Sequence, residues 1–461
     1  MRYWLLLGGF MHEKMAEWPI KKLVISMSGP AVISMMVQGL YNVVDGFFLA
    51  RLGQSVITAI AIAIPFFYIV FCIGIALGIG ANSLISRRLG AKKIQEAGEV
   101  VEVTLLITCI LGIIATIGGV VFSAEFMSIF TADSKVIAAG SEYISALSWF
   151  FIPILGAITT EKMIQATGEM KFPMYTSVLG GVINMILDPI LIFGLWGAPK
   201  MGIIGASVAS GIGVLVTVVL NLYKLYVSEK TLNIHFSKKL SLKTAGSILS
   251  IGIPTFFMQA LVSIAMMYMA YMLAKEQAAV AVLGIYSRIN QFIVLPVVGV
   301  AQGTMPILGY SYGARNQKRF THTFNVTWLF ITTFMLVCLV LLEIFATPVL
   351  KVFNASPAML EIGPRIFRII ALSFIFMGTA FTVNTAFFAI GKARQALFAS
   401  VLRQLIGVVG AAFILIKFFG IYYIWWAYPI AEVLAFIYVA VTCAKIYKNE
   451  ILKLSEVELR V

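Results

Sequence analysis

SVITAIAIAIPFFYIVFCIGIALGIG, residues 55–80, carries no charged side chain, and ISRRLGAKK, residues 85–93, follows it almost at once. An α-helix rises about 1.5 Å per residue, so about 20 apolar residues cross the hydrocarbon of a bilayer. The first stretch is long enough to span, and the second is the kind of basic flank that holds a span end on the cytoplasmic side.

Working outward, the same alternation recurs along the chain. Twelve apolar spans are expected, at about 23–49, 55–80, 101–122, 137–160, 173–194, 202–226, 246–274, 279–305, 323–346, 362–389, 396–418 and 424–446. The composition agrees: 61% of the 461 residues are hydrophobic and 12% charged, too little polar surface to coat a globule in water. The fold class is therefore an all-α polytopic membrane protein with twelve transmembrane helices. With the N-terminus placed in the cytoplasm, Lys and Arg favour the cytoplasmic segments by about three to one. Both termini are then cytoplasmic, and the expected location is the cell's inner (plasma) membrane. The net charge of +14 reads as this orientation signal and not as a nucleic-acid footprint.

Other function classes lose support on the same residues. Cys72, Cys109, Cys338 and Cys443 each lie in an apolar run without CxxC spacing, so they read as small apolar residues. His12, His235 and His322 form no cluster. No phosphate loop, nucleophile elbow or metal-hydrolase spacing appears, so an enzyme is not expected and no cofactor is called for. At the start, Trp4 to Phe10 is apolar but too short to span; an interfacial leader is expected, with Met11 and Met15 as alternative starts.

The chain also repeats itself. Leu89-Gly90-Ala91-Lys92 matches Tyr312-Gly313-Ala314-Arg315, and Gln165-Ala-Thr-Gly168 matches Phe388-Ala-Ile-Gly391, both 223 positions on. Two six-span halves with the same orientation follow, related by an axis along the membrane normal. The expected division is a leader at 1–22, an N-lobe at 23–226, a basic cytoplasmic linker at 227–244, a C-lobe at 245–447 and a tail at 448–461.

Polar residues present in one half only are the candidates for chemistry. Asp45 in span one and Asp188 in span five have Tyr268 and Ala411 at the repeat positions. A lone ionised carboxylate inside hydrocarbon costs about 2.5–3.5 kcal/mol even on insertion scales. Asn184 lies one turn before Asp188 on the same face, and Pro189 frees the carbonyl of Met185. That donor set suits a proton or a sodium ion, or else a hydrogen bond across a packed helix interface. Asp45 is near the outer end of its span, so an interfacial acid is the alternative there. Pro30 frees the carbonyl of Ser26, as a hinge or as a static bend. Arg288 is the one basic residue deep in a span; pairing with Glu343 or Glu432, or contact with a substrate or gate, are the readings open to it. Glu161 and Lys162, at the inner end of span four, are expected to be solvated.

Taken in order, several motifs carry a resemblance. They are Leu40-Tyr-Asn-Val-Val-Asp45-Gly, Ile85-Ser-Arg87-Arg88-Leu-Gly90-Ala91-Lys92, Asn184…Asp188-Pro189, and Arg288…Pro296…Gly299…Gln302-Gly303…Pro306…Gly309-Tyr310-Ser-Tyr312-Gly313. Over nearly the whole chain it resembles the multidrug and toxic compound extrusion (MATE) family, in its prokaryotic branch with an acidic N-lobe site. The resemblance implies two six-helix bundles arranged as a V. It also implies export of organic, often cationic, compounds in exchange for H+ or Na+ by alternating access. It carries a cation-coupling role onto Asp45, Asn184, Asp188 and a span-six hydroxyl, Ser210 or its rival Ser207, with any Na+ held at Asp45, Asn184 and Asp188. It carries a cavity-lining role onto Pro30, Gln38, Tyr41 and Tyr143, and Arg288 is added to that cavity. Spans seven and ten offer Gln259 and Asn384 where another branch has acids, which favours the N-lobe. The expected unit is a monomer in the lipid bilayer with small organic substrates; a lipid-linked oligosaccharide or lipid flippase of the same superfamily is the alternative.

Overall fold

A computed structural model describes residues 14–228, 232 and 241–454. Most of the expected leader, linker and tail, including His12 and His235, therefore lies outside the described residues. Among the described residues, ten helices are continuous and long and apolar enough to cross a membrane. These are α1 (Ile20–Ala50), α2 (Gln54–Gly90), α3 (Ile94–Phe130), α5 (Lys171–Phe193), α6 (Ile203–Val227), α7 (Leu242–Leu273), α8 (Gln277–Gly313), α9 (Gln317–Val352), α11 (Ala393–Phe419) and α12 (Ile421–Ile451). Two more spans are bent pairs: α4 (Ser134–Ser148 and Phe151–Ala166, 53°) and α10 (Pro357–Ala371 and Phe374–Ala389, 44°). The twelve alternate in direction, so both described termini lie on one face, called the terminal face below.

The repeat is visible in the bends. The breaks fall at Trp149-Phe150 and Leu372-Ser373, again 223 positions apart. It is visible in length too, since α2 and α8 each run 37 residues. At about 1.5 Å per residue that is roughly 55 Å, well beyond the hydrocarbon. The extra turns carry Arg87 and Arg88 out on the terminal face. Apolar composition therefore marked the oil, not the helix end.

The lobes meet where side chains are smallest. α1 runs antiparallel to α8: a methyl on Gly303 would come within 2.6 Å of the Ser28 backbone, and one on Gly299 within 2.6 Å of Val32. A methyl on Gly39 would come within 2.7 Å of Leu295. α2 meets α7 in the same way, with Gly80 against Ile248 and Gly252 against Ala76. Small residues let backbones approach where oil gives no hydrophobic push between helices. At the terminal face, Ser83 Oγ donates to the Phe388 carbonyl at 2.5 Å and Arg87 Nη1 to that of Ile390 at 3.4 Å, both across the lobe boundary. These contacts run from the terminal face to just past mid-helix. Along α1 and α2, Ile25, Ile33, Val43, Phe47, Ile57 and Ile64 are exposed, as apolar side chains turned to lipid would be.

Glu161 and Lys162 correct the solvated expectation. Lys162 is 7% exposed, packed against Gly78. Its Nζ donates to Gln302 Oε1 of the C-lobe at 2.7 Å and to Gln165 Oε1 at 3.2 Å, and pairs with Glu161 at 3.3 Å. Closeness to a span end says little about solvent when the opposing lobe covers that end.

Candidate functional site

Glycines position the acids. α5 and α6 touch at Gly180 and Gly213, whose added methyls would meet the opposite backbone, and again where Gly205 meets Leu191. This near contact brings Ser210 to Asn184: Asn184 Nδ2 donates to Ser210 Oγ at 3.0 Å and to Asp188 Oδ1 at 3.3 Å. Ser207, the rival, turns away and donates to the Tyr143 carbonyl at 3.3 Å. The missing side chain at Gly181 admits α1, with Val37 and Tyr41 against it. α1 and α5 run parallel, so Asp45, one turn above Tyr41, rises beside Asn184 and Asp188. One turn further along, Leu49 of α1 and Ile192 of α5 share one packed cluster, which keeps the two helices side by side at the level of the acids.

The electrostatics are one-sided. Asp188 is 0% exposed and Asn184 3%. Asp45 Oδ1, Asn184 Oδ1 and Asp188 Oδ2 are each buried without a hydrogen-bond partner. All three are acceptors. Among the described residues no Lys, Arg or His pairs with either acid. An unpaired buried carboxylate is expensive, so the site favours a protonated acid or a bound cation. Phe48, Leu49, Ile192 and Ile203 pack over the far-face end of this cluster, with the Phe48 and Phe193 rings edge to face at 6.3 Å.

The remaining candidates separate from it. Gln38 is half-buried, two turns below Asp45 on α1. Pro30 lies about 22 Å from Asp45 along the helix, between the Ser28 and Val32 contacts to α8, and α1 stays continuous through it. It belongs to the lobe seam and not to the acid cluster.

Arg288 pairs with neither expected acid. Glu343 carries Arg368 at 3.8 Å, and Glu432 carries Arg403 at 3.4 Å, each closer on its own pair of packed helices. Arg288 is exposed instead, on the stripe of α8 that holds Gly284, Phe292 and Leu295. It lies two turns along α8 from Leu295, which approaches Gly39 of α1.

Two polar clusters escaped sequence reasoning. One is the interlobe Lys162–Gln302 contact, of which Gln302 alone lay in a quoted motif. The other is Arg403–Glu432 in the C-lobe, where Glu432 is 6% exposed. A stretch of π-helix at Leu402–Gly410 lies beside it, with Gly407 against Ala431.

The comparisons with known proteins agree with this architecture. A family model described as MatE matches residues 30–190 and 253–413, two stretches offset by the repeat length. Multidrug export protein MepA of Staphylococcus haemolyticus is 26% identical over 423 residues, covering 90% of this chain and 91% of its own. An outward-facing conformation of a multidrug resistance MATE family transporter of the MOP superfamily superposes with a TM-score of 0.87 at 25% identity, over 95% of this chain and 98% of that one. A MOP superfamily transporter from Pyrococcus furiosus, with a binding pocket of reversed polarity, shares the fold with a TM-score of 0.86 at 24% identity, over 95% and 98%.

Proposed function

This chain belongs to the MatE family, and from that premise we propose that it is a multidrug efflux antiporter whose N-lobe acids exchange a proton or Na+ for an organic, often cationic, compound. The single observation that carries the reading is the set of three buried, unpartnered oxygens on Asp45, Asn184 and Asp188.

With the site emptied of its cation, the negative charge of Asp45 and Asp188 attracts a cationic amphiphile, and Tyr41 and Tyr143 offer ring faces to it. When a proton reaches either acid, or Na+ settles among the carboxylates, the Asn184 amide oxygen and the Ser210 hydroxyl, that attraction is lost and the compound leaves. Drug and ion compete for one negative charge, which is what coupling requires. The Asn184 amide nitrogen donates to Ser210 and Asp188, which leaves its oxygen unpartnered and free to bind the cation.

With the terminal face taken as cytoplasmic, the seam closed there is read as an outward-facing state. Arg288, exposed on α8, repels cationic cargo from the C-lobe and steers it to the acids. An anionic lipid-linked cargo would meet the wrong charge at that site, so the flippase reading gains no observation. The mechanism asks for a single chain, a membrane and no cofactor.

The test is transport in reconstituted vesicles with a pH gradient and a Na+ gradient imposed separately. Extrusion of a cationic dye should follow at least one gradient and vanish in Asp188→Asn. Equal extrusion with neither gradient would end the antiport reading.

A further inference from the structure

On the terminal face, away from the acid cluster, lies a cavity of about 640 Å³. Its lining includes Arg87, Arg88 and Lys93 from the α2–α3 turn, Arg315 and Tyr312 from the α8–α9 turn, and Lys453 from the end of α12. Glu96 is the one acid in the lining, already engaged by Lys93 at 2.8 Å and by Arg88 at 3.6 Å. The wall therefore keeps a large excess of positive charge.

The cavity sits where the repeat folds onto itself. Lys92 and Arg315 occupy equivalent places in the two turns, and both adopt left-handed backbone, at φ 60 and 55. Gly90 packs on the Tyr310 backbone, and Gly313 packs on that of Arg87. A side chain at either glycine would push the turns apart, so the cavity exists only while the lobes are together on this face. Arg87 also spans the boundary through its bond to the Ile390 carbonyl.

Basic residues at span ends serve orientation, but orientation needs only their presence on one side. It does not need cations from separate segments of both lobes to converge on one ligand-sized cavity. We propose that this cavity binds a phosphate-bearing anion, from a lipid headgroup or a soluble phosphate compound, clamped between the two lobes. The guanidinium groups suit phosphate oxygens by charge and by fork geometry. Because both lobes supply ligands, the bound anion favours the arrangement closed at this face over the one open there.

The test uses the full chain in neutral detergent, probed in separate arms with short-chain phosphatidylglycerol and with inorganic pyrophosphate, each titrated by thermal unfolding. Wild type should gain several degrees from at least one probe, less so in high salt. A shift with phosphatidylglycerol alone assigns a lipid headgroup, a shift with pyrophosphate alone a soluble ligand, and a shift with both the phosphate group itself. Arg315→Asn combined with Lys453→Gln should weaken that binding roughly tenfold or more. Both side chains are exposed and asparagine tolerates left-handed backbone, so this variant keeps its fold. Lys445→Gln with Lys448→Gln, exposed lysines on the same helix outside the lining, should leave the shift intact. No shift in wild type with either probe, or the same shift in the Arg315/Lys453 variant, would overturn the proposal and leave the basic residues as orientation signals.

Discussion

In the N-lobe, α5 and α6 press together at glycines and leave Asn184 and Asp188 with unpartnered oxygens. In the C-lobe the corresponding pair, α11 and α12, also presses together, at Gly407 and Ala431, and also buries an acid. Glu432 Oε2 too is buried without a hydrogen-bond partner, so the likeness stops only at the counter-charge. Glu432 has Arg403 at 3.4 Å, whereas Asp45 and Asp188 have no basic partner among the described residues. A buried acid with its own permanent counter-charge has nothing to exchange. One that lacks it must draw a positive charge from the medium, and that charge can be traded. One architecture used twice yields a charge-paired acid in one lobe and acids without a basic partner in the other, which is where we propose the exchange takes place.

The comparison breaks first at Asp188. Asp188→Asn keeps the shape and the Asn184 contact but removes the charge, and gradient-driven dye extrusion should fall by about a hundredfold or more, against a loss on the order of 3 kcal/mol in coupling. The variant should still purify as a folded protein. Extrusion near wild type would place the exchange elsewhere.

The C-lobe answers with the opposite pattern. Arg403→Ala leaves Glu432 buried without its cation and should cost about 3–5 kcal/mol of stability, read as a lowered unfolding temperature and poor yield. Arg403→Gln with Glu432→Gln should restore much of that stability and retain coupled extrusion. If the restored double variant is stable yet uncoupled, the C-lobe pair takes part in exchange and the contrast between lobes collapses.

Lys162 sharpens the comparison at the seam that joins the lobes. Lys162→Gln shortens the reach to Gln302 and should shift the population toward opening at the terminal face by roughly tenfold, with about 1–2 kcal/mol lost. Spin labels at Gln95→Cys and Arg394→Cys, in a background without the four native cysteines, should report a longer distance. An unchanged distance distribution would make the contact packing only.

The smallest effect is expected at Ser210. Ser210→Ala removes one hydrogen bond to Asn184, worth about 1 kcal/mol, so apparent affinity for the coupling ion should weaken about fivefold. Ser207→Ala, whose hydroxyl meets only the Tyr143 carbonyl, should leave it unchanged. A reversed order would reassign the hydroxyl.

Much of the fold was legible because oil imposes a simple pattern. Apolar runs and basic flanks gave twelve spans, and the 223-residue offset recurs in the breaks at Trp149 and Leu372. The breaks themselves were not foreseen, although Pro153 denies the Trp149 carbonyl its donor at the first; the second has no proline at the bend. The acids were legible because one half lacks them, and Asn184 through its one-turn spacing from Asp188. Contacts between lobes were not legible. Lys162 looked solvated because its cover, Gly78 and Gln302, comes from elsewhere in sequence. Arg288 was offered two acids that already hold Arg368 and Arg403, and pairing across helices cannot be ranked without their packing.

The most direct test of the exchange site is equilibrium binding of a cationic dye to the purified protein while H+ and Na+ are varied in turn. Dye affinity should fall as one of these ions rises, with one bound ion displacing one dye, and the dependence should disappear in Asp188→Asn. Dye and ion binding independently in wild type would contradict the claim that they share a single negative charge.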